Sequence, residues 1–84
     1  SVGMYPIGTC VVLDDGRSGV VVGSTDDLMR PMVQVVYDER KNERLRPQVV
    51  DLSQTRGNVA TYGDPARLGA TSKKLLEKIL QALS

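Results

Sequence analysis

The stretch Tyr5–Gly23, YPIGTCVVLDDGRSGVVVG, decides how this chain folds, because it sets glycines at 8, 16, 19 and 23 among short runs of valine. Two readings compete: a loop whose backbone amides cradle a phosphate, or strands that fold back on each other. Thr9–Leu13 is an apolar run, Asp14-Asp15-Gly16 is a turn signal and Gly19–Val22 is a second apolar run, which gives strand, turn, strand. Asp15-Gly16 suits a tight hairpin turn with positive φ at both central positions, a conformation Asp tolerates and Gly adopts freely. A Walker-type phosphate loop ends its glycines with Lys followed by Ser or Thr, whereas Gly23 runs directly into Ser24-Thr25. A dinucleotide loop sits between a strand and a helix, and Gly16 and Gly19 lie between two strands. Gly8, Asp15, Gly16, Gly19 and Gly23 are therefore assigned a structural role, shaping a sharply folded sheet. The adjacent valines at 11–12 and 20–22 break strict alternation, which points to cover on both faces of the strands.

Outward from this hairpin, Ser24–Met29 is a polar loop. Met32–Tyr37 reads as a third strand, with Pro31 at its start, where a missing donor costs least, and with Val33, Val35 and Tyr37 on one face. The charged segment ERKNERL, residues 39–45, reads as a solvated hairpin end with Asn42 at its tip. Gln48–Leu52 after Pro47 predicts a fourth strand, and Asn58–Tyr62 after Gly57 a fifth. Asp64-Pro65 pairs an N-cap acceptor with a first-turn proline, and Gly69 closes that single turn. From Thr71 or Ser72 onward, Leu75, Leu76, Ile79, Leu80 and Leu83 recur at helical spacing, with Lys73, Lys74, Glu77 and Lys78 toward water. The fold class is mainly β with a C-terminal α-helix: a small SH3-like barrel or a strongly bent antiparallel sheet of four to five strands. Residues 1–70 form the β-domain. Residues 71–84 belong to the same domain or act as a linker or dimer contact, and Leu76, Ile79, Leu80 and Leu83 are the candidate partner contacts.

Composition narrows the function classes. The chain has 84 residues, enough for one small domain, and its core must be aliphatic because Phe and Trp are absent. Eleven basic residues against ten acidic ones leave a net charge of +1, which offers no electrostatic reason to attract nucleic acid or an anionic membrane. No histidine is present and Cys10 is the single cysteine, so a histidine base, a zinc site and an internal disulfide are excluded. Within an apolar run Cys10 reads as a buried, inert thiol. The carboxylate pairs Asp14-Asp15 and Asp26-Asp27 fall in turns without EF-hand spacing, and no metal or cofactor role is assigned to them. Cytoplasmic localisation is expected, since no apolar stretch approaches about twenty residues and no leader pattern is seen. Ser1 opens in mid-pattern, so a piece of a longer chain is expected.

Two resemblances add to this reading. The unit GTCVVLDDGRSGVVVG resembles the strand-turn-strand of KOW and other SH3-like modules, which implies a nucleic-acid-binding alternative, RNA above all. Only Arg17 is basic there, and the unit has no aromatic for base stacking. Over a longer span, Tyr5-Pro6, Gly8, Val11, Leu13, Gly16, Gly19–Val22, Arg30-Pro31, Val33, Pro47 and Val50-Asp51-Leu52 stand in an order similar to the segment after the catalytic core of bacterial HD-GYP proteins. Those proteins form the cyclic di-GMP phosphodiesterase class. Gly63–Gly69, GDPARLG, is similar to the aspartate-proline motif that closes that segment. The family's catalytic histidines, aspartates and Gly-Tyr-Pro signature lie upstream of it, and Tyr5-Pro6 is preceded by Met4, so no catalytic residue transfers. The resemblance implies a non-catalytic accessory module that packs on its own catalytic domain or associates with itself. A further alternative, direct cyclic di-GMP sensing, would require Arg30, Arg44, Arg46 and Arg56 to converge.

Overall fold

The computed structural model describes residues 5–84; Ser1 and Met4 lie outside the described residues. Five strands, β1 (Cys10–Leu13), β2 (Arg17–Gly23), β3 (Met32–Asp38), β4 (Glu43–Asp51) and β5 (Val59–Tyr62), precede one helix, α1 (Ala70–Leu83). Short 3-10 turns at Leu52–Gln54 and Pro65–Arg67 carry the chain around. The sheet order is β4-β3-β2-β1-β5 and every neighbouring pair is antiparallel. It is the mainly β architecture with a C-terminal helix expected from the sequence, consistent with a small SH3- or KOW-like fold. No helix among the described residues is long and apolar enough to cross a membrane.

The β1–β2 hairpin forms where expected, by a different turn. Gly16 has φ +90°, and its amide donates to the Leu13 carbonyl at 3.0 Å. Asp15 keeps a negative φ: among the described residues Asn42 is the non-glycine with a positive one. Residues 14–16 thus make a longer loop in which one left-handed glycine follows the bend, so that only Gly16 needs the left-handed region. Asp15 contributes instead by accepting from the Arg17 amide at 3.0 Å and its Nε at 2.8 Å.

Val11, Leu13, Val21, Val33, Val35 and Leu52 form the apolar core on one face, with Tyr5, Val50 and Val59 packed against it. Val20 and Gln34, opposite each other in the ladder, are buried on the other face, beneath α1. Both faces are covered, and this explains the unalternated valines. Tyr37 departs from expectation. Gly19 pairs with Val35 but Ser18 pairs with Tyr37, so a bulge inserts one residue into β3 and turns the Tyr37 ring to the side opposite Val35. The bulge coincides with a close approach: a Cβ on Gly19 would lie 1.8 Å from the Gln34 carbonyl oxygen.

β4 starts at Glu43, well before the Gln48 boundary read from the sequence. Pro47 sits inside it, which an edge strand tolerates because an outward-facing position needs no donor; the ladder skips from Gln48, opposite Val35, to Arg44, opposite Tyr37. Helix α1 is anchored near its start. Ser72, 1% exposed, donates its hydroxyl to the Gln34 side-chain oxygen at 2.7 Å. Farther along, Leu76 and Ile79 are half-buried while Leu80 and Leu83 are 53% and 69% exposed.

Gly19→Ala is expected to destabilise the domain by about 3 kcal/mol or to prevent folding, because the new methyl overlaps backbone that cannot swing aside. Gly23→Ala, with Met32 Sδ at 3.5 Å in ordinary contact and no positive φ, is expected to stay within about 0.5 kcal/mol of the parent. Urea denaturation of the two variants checks the contrast.

Candidate interaction site

The glycine amides are engaged by the fold. Gly8 (φ +98°) donates to the Val21 carbonyl at 2.8 Å and Gly16 to Leu13, while the Gly16 carbonyl accepts from the Glu39 amide at 2.8 Å. Gly23, read from the sequence as a turn glycine, ends β2 opposite Met32 at a register shift. The Gly8 and Gly16 amides face backbone acceptors, the opposite of the inward-pointing donors that hold phosphate.

On the helix side of the sheet, residues from distant segments assemble into one polar cluster. Asp64 caps the Pro65–Arg67 turn by accepting from the Ala66 amide at 2.9 Å, and this turn presents Arg67. Its Nε and one terminal nitrogen donate to the two oxygens of Glu39 at 3.0 and 3.1 Å, a bidentate pair. The Ser18 hydroxyl donates to the same carboxylate at 2.8 Å. The guanidinium lies 4.1 Å from the Tyr37 ring centre, in cation–π contact, and the Tyr37 hydroxyl bonds the Asn42 side chain. Arg44 donates to the Arg67 carbonyl at 2.8 Å. The charged segment 39–45, read as solvated, therefore supplies Glu39, Asn42 and Arg44 to a cluster that fixes the entry to α1. The fold-distant partners of these residues left no local mark in the sequence. The Asp64-Pro65 signal located the turn without showing what Arg67 would meet.

The four arginines considered for dinucleotide sensing do not converge: Arg30 lies beside the Thr55–Gly57 segment that carries Arg56, and Arg44 and Arg46 lie on β4. Arg30 donates to the carbonyls of Thr55 and Gly57, and it lies just ahead of Met32, which pairs with Asp51. Arg44 lies at the opposite end of the β3–β4 ladder, and Arg46 and Arg56 are exposed. The half-buried Cys10 thiol is held above its ordinary pKa by burial, reinforced by the charge of Asp64, so little of the reactive thiolate forms at neutral pH. Among the described residues no group of His, Cys, Asp and Glu is placed to hold a metal ion.

An apolar surface feature lies near the ends of β1 and β2. Tyr5, Pro6, Ile7, Leu28 and Pro31 line most of a cavity of about 270 Å³, and Ser24, Thr25 and Asp27 complete its lining. Tyr5 also meets Tyr62 edge-on, with ring centres 6.3 Å apart. The neighbouring groove adds Asp26 and Asp51. Leu28 and Met29, at the tip of the 24–31 loop, are 60% and 50% exposed, a concentration of apolar side chains suited to protein contact.

Hydrogen bonds from Arg67 are the largest influence on Glu39 and hold its carboxyl below the ordinary value of 4.5. A depressed folded-state pKa means that this contribution is complete above the unfolded-state value and disappears as pH falls through the folded one. The side chains are 33% and 29% exposed, so the effect is modest. Glu39→Gln is expected to be less stable than the parent at pH 6. The two urea midpoints should draw together below pH 4.5, and a gap independent of pH contradicts the assignment.

Comparison with known proteins gives this geometry a context. The chain is 40% identical over 55 residues to "Cyclic di-GMP phosphodiesterase PA4108" of Pseudomonas aeruginosa; the match covers 64% of this chain and 13% of that relative. No solved structure matches. The family model described as "KOW domain associated with HD domain" matches residues 10–59, from the first residue of β1 to the first of β5. The match spans β1 to β4 and the turns between them, and the chain belongs to the family of KOW domains associated with HD domains.

Proposed function

We propose that the chain is a non-catalytic accessory module of a bacterial HD-GYP-type cyclic di-GMP signalling protein. It acts by binding protein, either the catalytic part of its own parent or a second copy. The carrying observation is the family match across the sheet, since the family is described by its association with an HD domain. The chemistry of the residues agrees. A chain without histidine lacks the side chains that the resemblance to HD-GYP proteins assigns to metal binding. Its conspicuous glycines serve the backbone, Gly19 through a close approach to β3 and Gly8 and Gly16 through a positive φ. Surface apolar residues at Leu28, Met29, Leu80 and Leu83 offer contact area without catalytic groups.

Purified chain is expected to leave cyclic di-GMP intact in the presence of manganese or magnesium, and to bind the parent's catalytic part in calorimetry. Turnover by the chain alone overturns the reading. So does tight RNA binding that weakens steeply with salt, the signature of phosphate-driven association.

A further inference from the structure

Two surfaces of the molecule are complementary. The exposed end of α1 carries Leu80 and Leu83 beside half-buried Ile79, and the helix bears Lys73, Lys74 and Lys78 against the single acidic Glu77. The cavity between Tyr5, Ile7, Leu28 and Pro31 is apolar, and Asp26, Asp27 and Asp51 stand around it and its adjoining groove. The ion pairs formed among the described residues join Arg17 to Asp15 and Arg67 to Glu39, so neither the three lysines nor the three aspartates take part in one. Arg30, the cation nearest in sequence to Asp26 and Asp27, turns its guanidinium toward the carbonyls of Thr55 and Gly57.

We propose that the apolar end of α1 in one copy of this chain docks in the Tyr5–Leu28–Pro31 cavity of a second copy, with Lys73, which lies two turns before Leu80 on the same flank of the helix, toward Asp26, Asp27 and Asp51. The inference rests on the reading of the chain as a protein-binding module and names its partner. The cavity, at about 270 Å³, has room for a leucine side chain, and a leucine inserted there leaves water together with Leu28. Opposed charges at the rim set the direction of the helix and hasten encounter. The contact is heterologous: one surface gives a helix and a different surface receives it.

That asymmetry defines the test. Leu28→Lys disables the cavity and Leu80→Glu disables the helix; both positions are solvent-exposed, and thermal unfolding verifies that the variants remain folded. Sedimentation velocity of the parent chain up to about 1 mM is expected to show reversible association that weakens with salt. Each variant alone should associate at least about tenfold more weakly. An equimolar mixture of the two should recover association, because one intact cavity then meets one intact helix. A parent that stays monomeric overturns the inference. So does association that survives Leu28→Lys, which indicates helix-to-helix pairing, or a mixture that remains as weak as its components. These outcomes leave the accessory-module reading standing, since calorimetry against the parent's catalytic part tests that separately.

Discussion

The close passage of β2 over β3 at Gly19 is the constraint from which the rest of the arrangement follows. Because no side chain stands there, the Gln34 carbonyl occupies the space a Cβ would take. The register shifts beside it, between Val35 and Tyr37. The inserted residue sends Tyr37 to the side opposite Val35, where its ring meets Arg67. Arg67 is in turn held by Glu39 through two hydrogen bonds. A missing methyl thus leads, through one bulge, to the placement of the turn that introduces α1.

This sequence of contacts accounts for the character of the surface. The polar groups of the helix side are satisfied within the molecule: Ser18 and Arg67 bond Glu39, Arg44 bonds the Arg67 carbonyl and Ser72 bonds Gln34. The apolar residues at the end of α1 and in the 24–31 loop remain exposed. The polar cluster holds the turn that leads into the helix. Membership of a family defined by association with HD domains fits that division.

Much of the fold was legible because its signals are local. Asp14-Asp15-Gly16 marked the first bend, the spacing of Leu75, Leu76, Ile79, Leu80 and Leu83 marked the helix, and Asp64-Pro65 marked the turn before it. The order of glycines, valines and prolines also carried the resemblance to the HD-GYP segment. Local signals misled where a partner lay far along the chain. The charged residues from Glu39 to Arg44 look solvated until Arg67 is brought beside them. Pro47 looks like a strand boundary until β4 proves to be an edge. Val33, Val35 and Tyr37 share a face by simple alternation, and the bulge against Gly19 removes Tyr37 from it.

Residue type and spacing are enough for the mainly β class, the hairpin, the helix and the lack of histidine chemistry, because they act within a few positions of the backbone. Which glycine is sterically indispensable, where Tyr37 points, that Glu39 and Arg67 clasp each other and which leucines stay exposed emerge with the packed fold. Those features depend on atoms brought together across the sheet, and the contact between Ser72 and Gln34, far apart along the chain, has no trace in either neighbourhood.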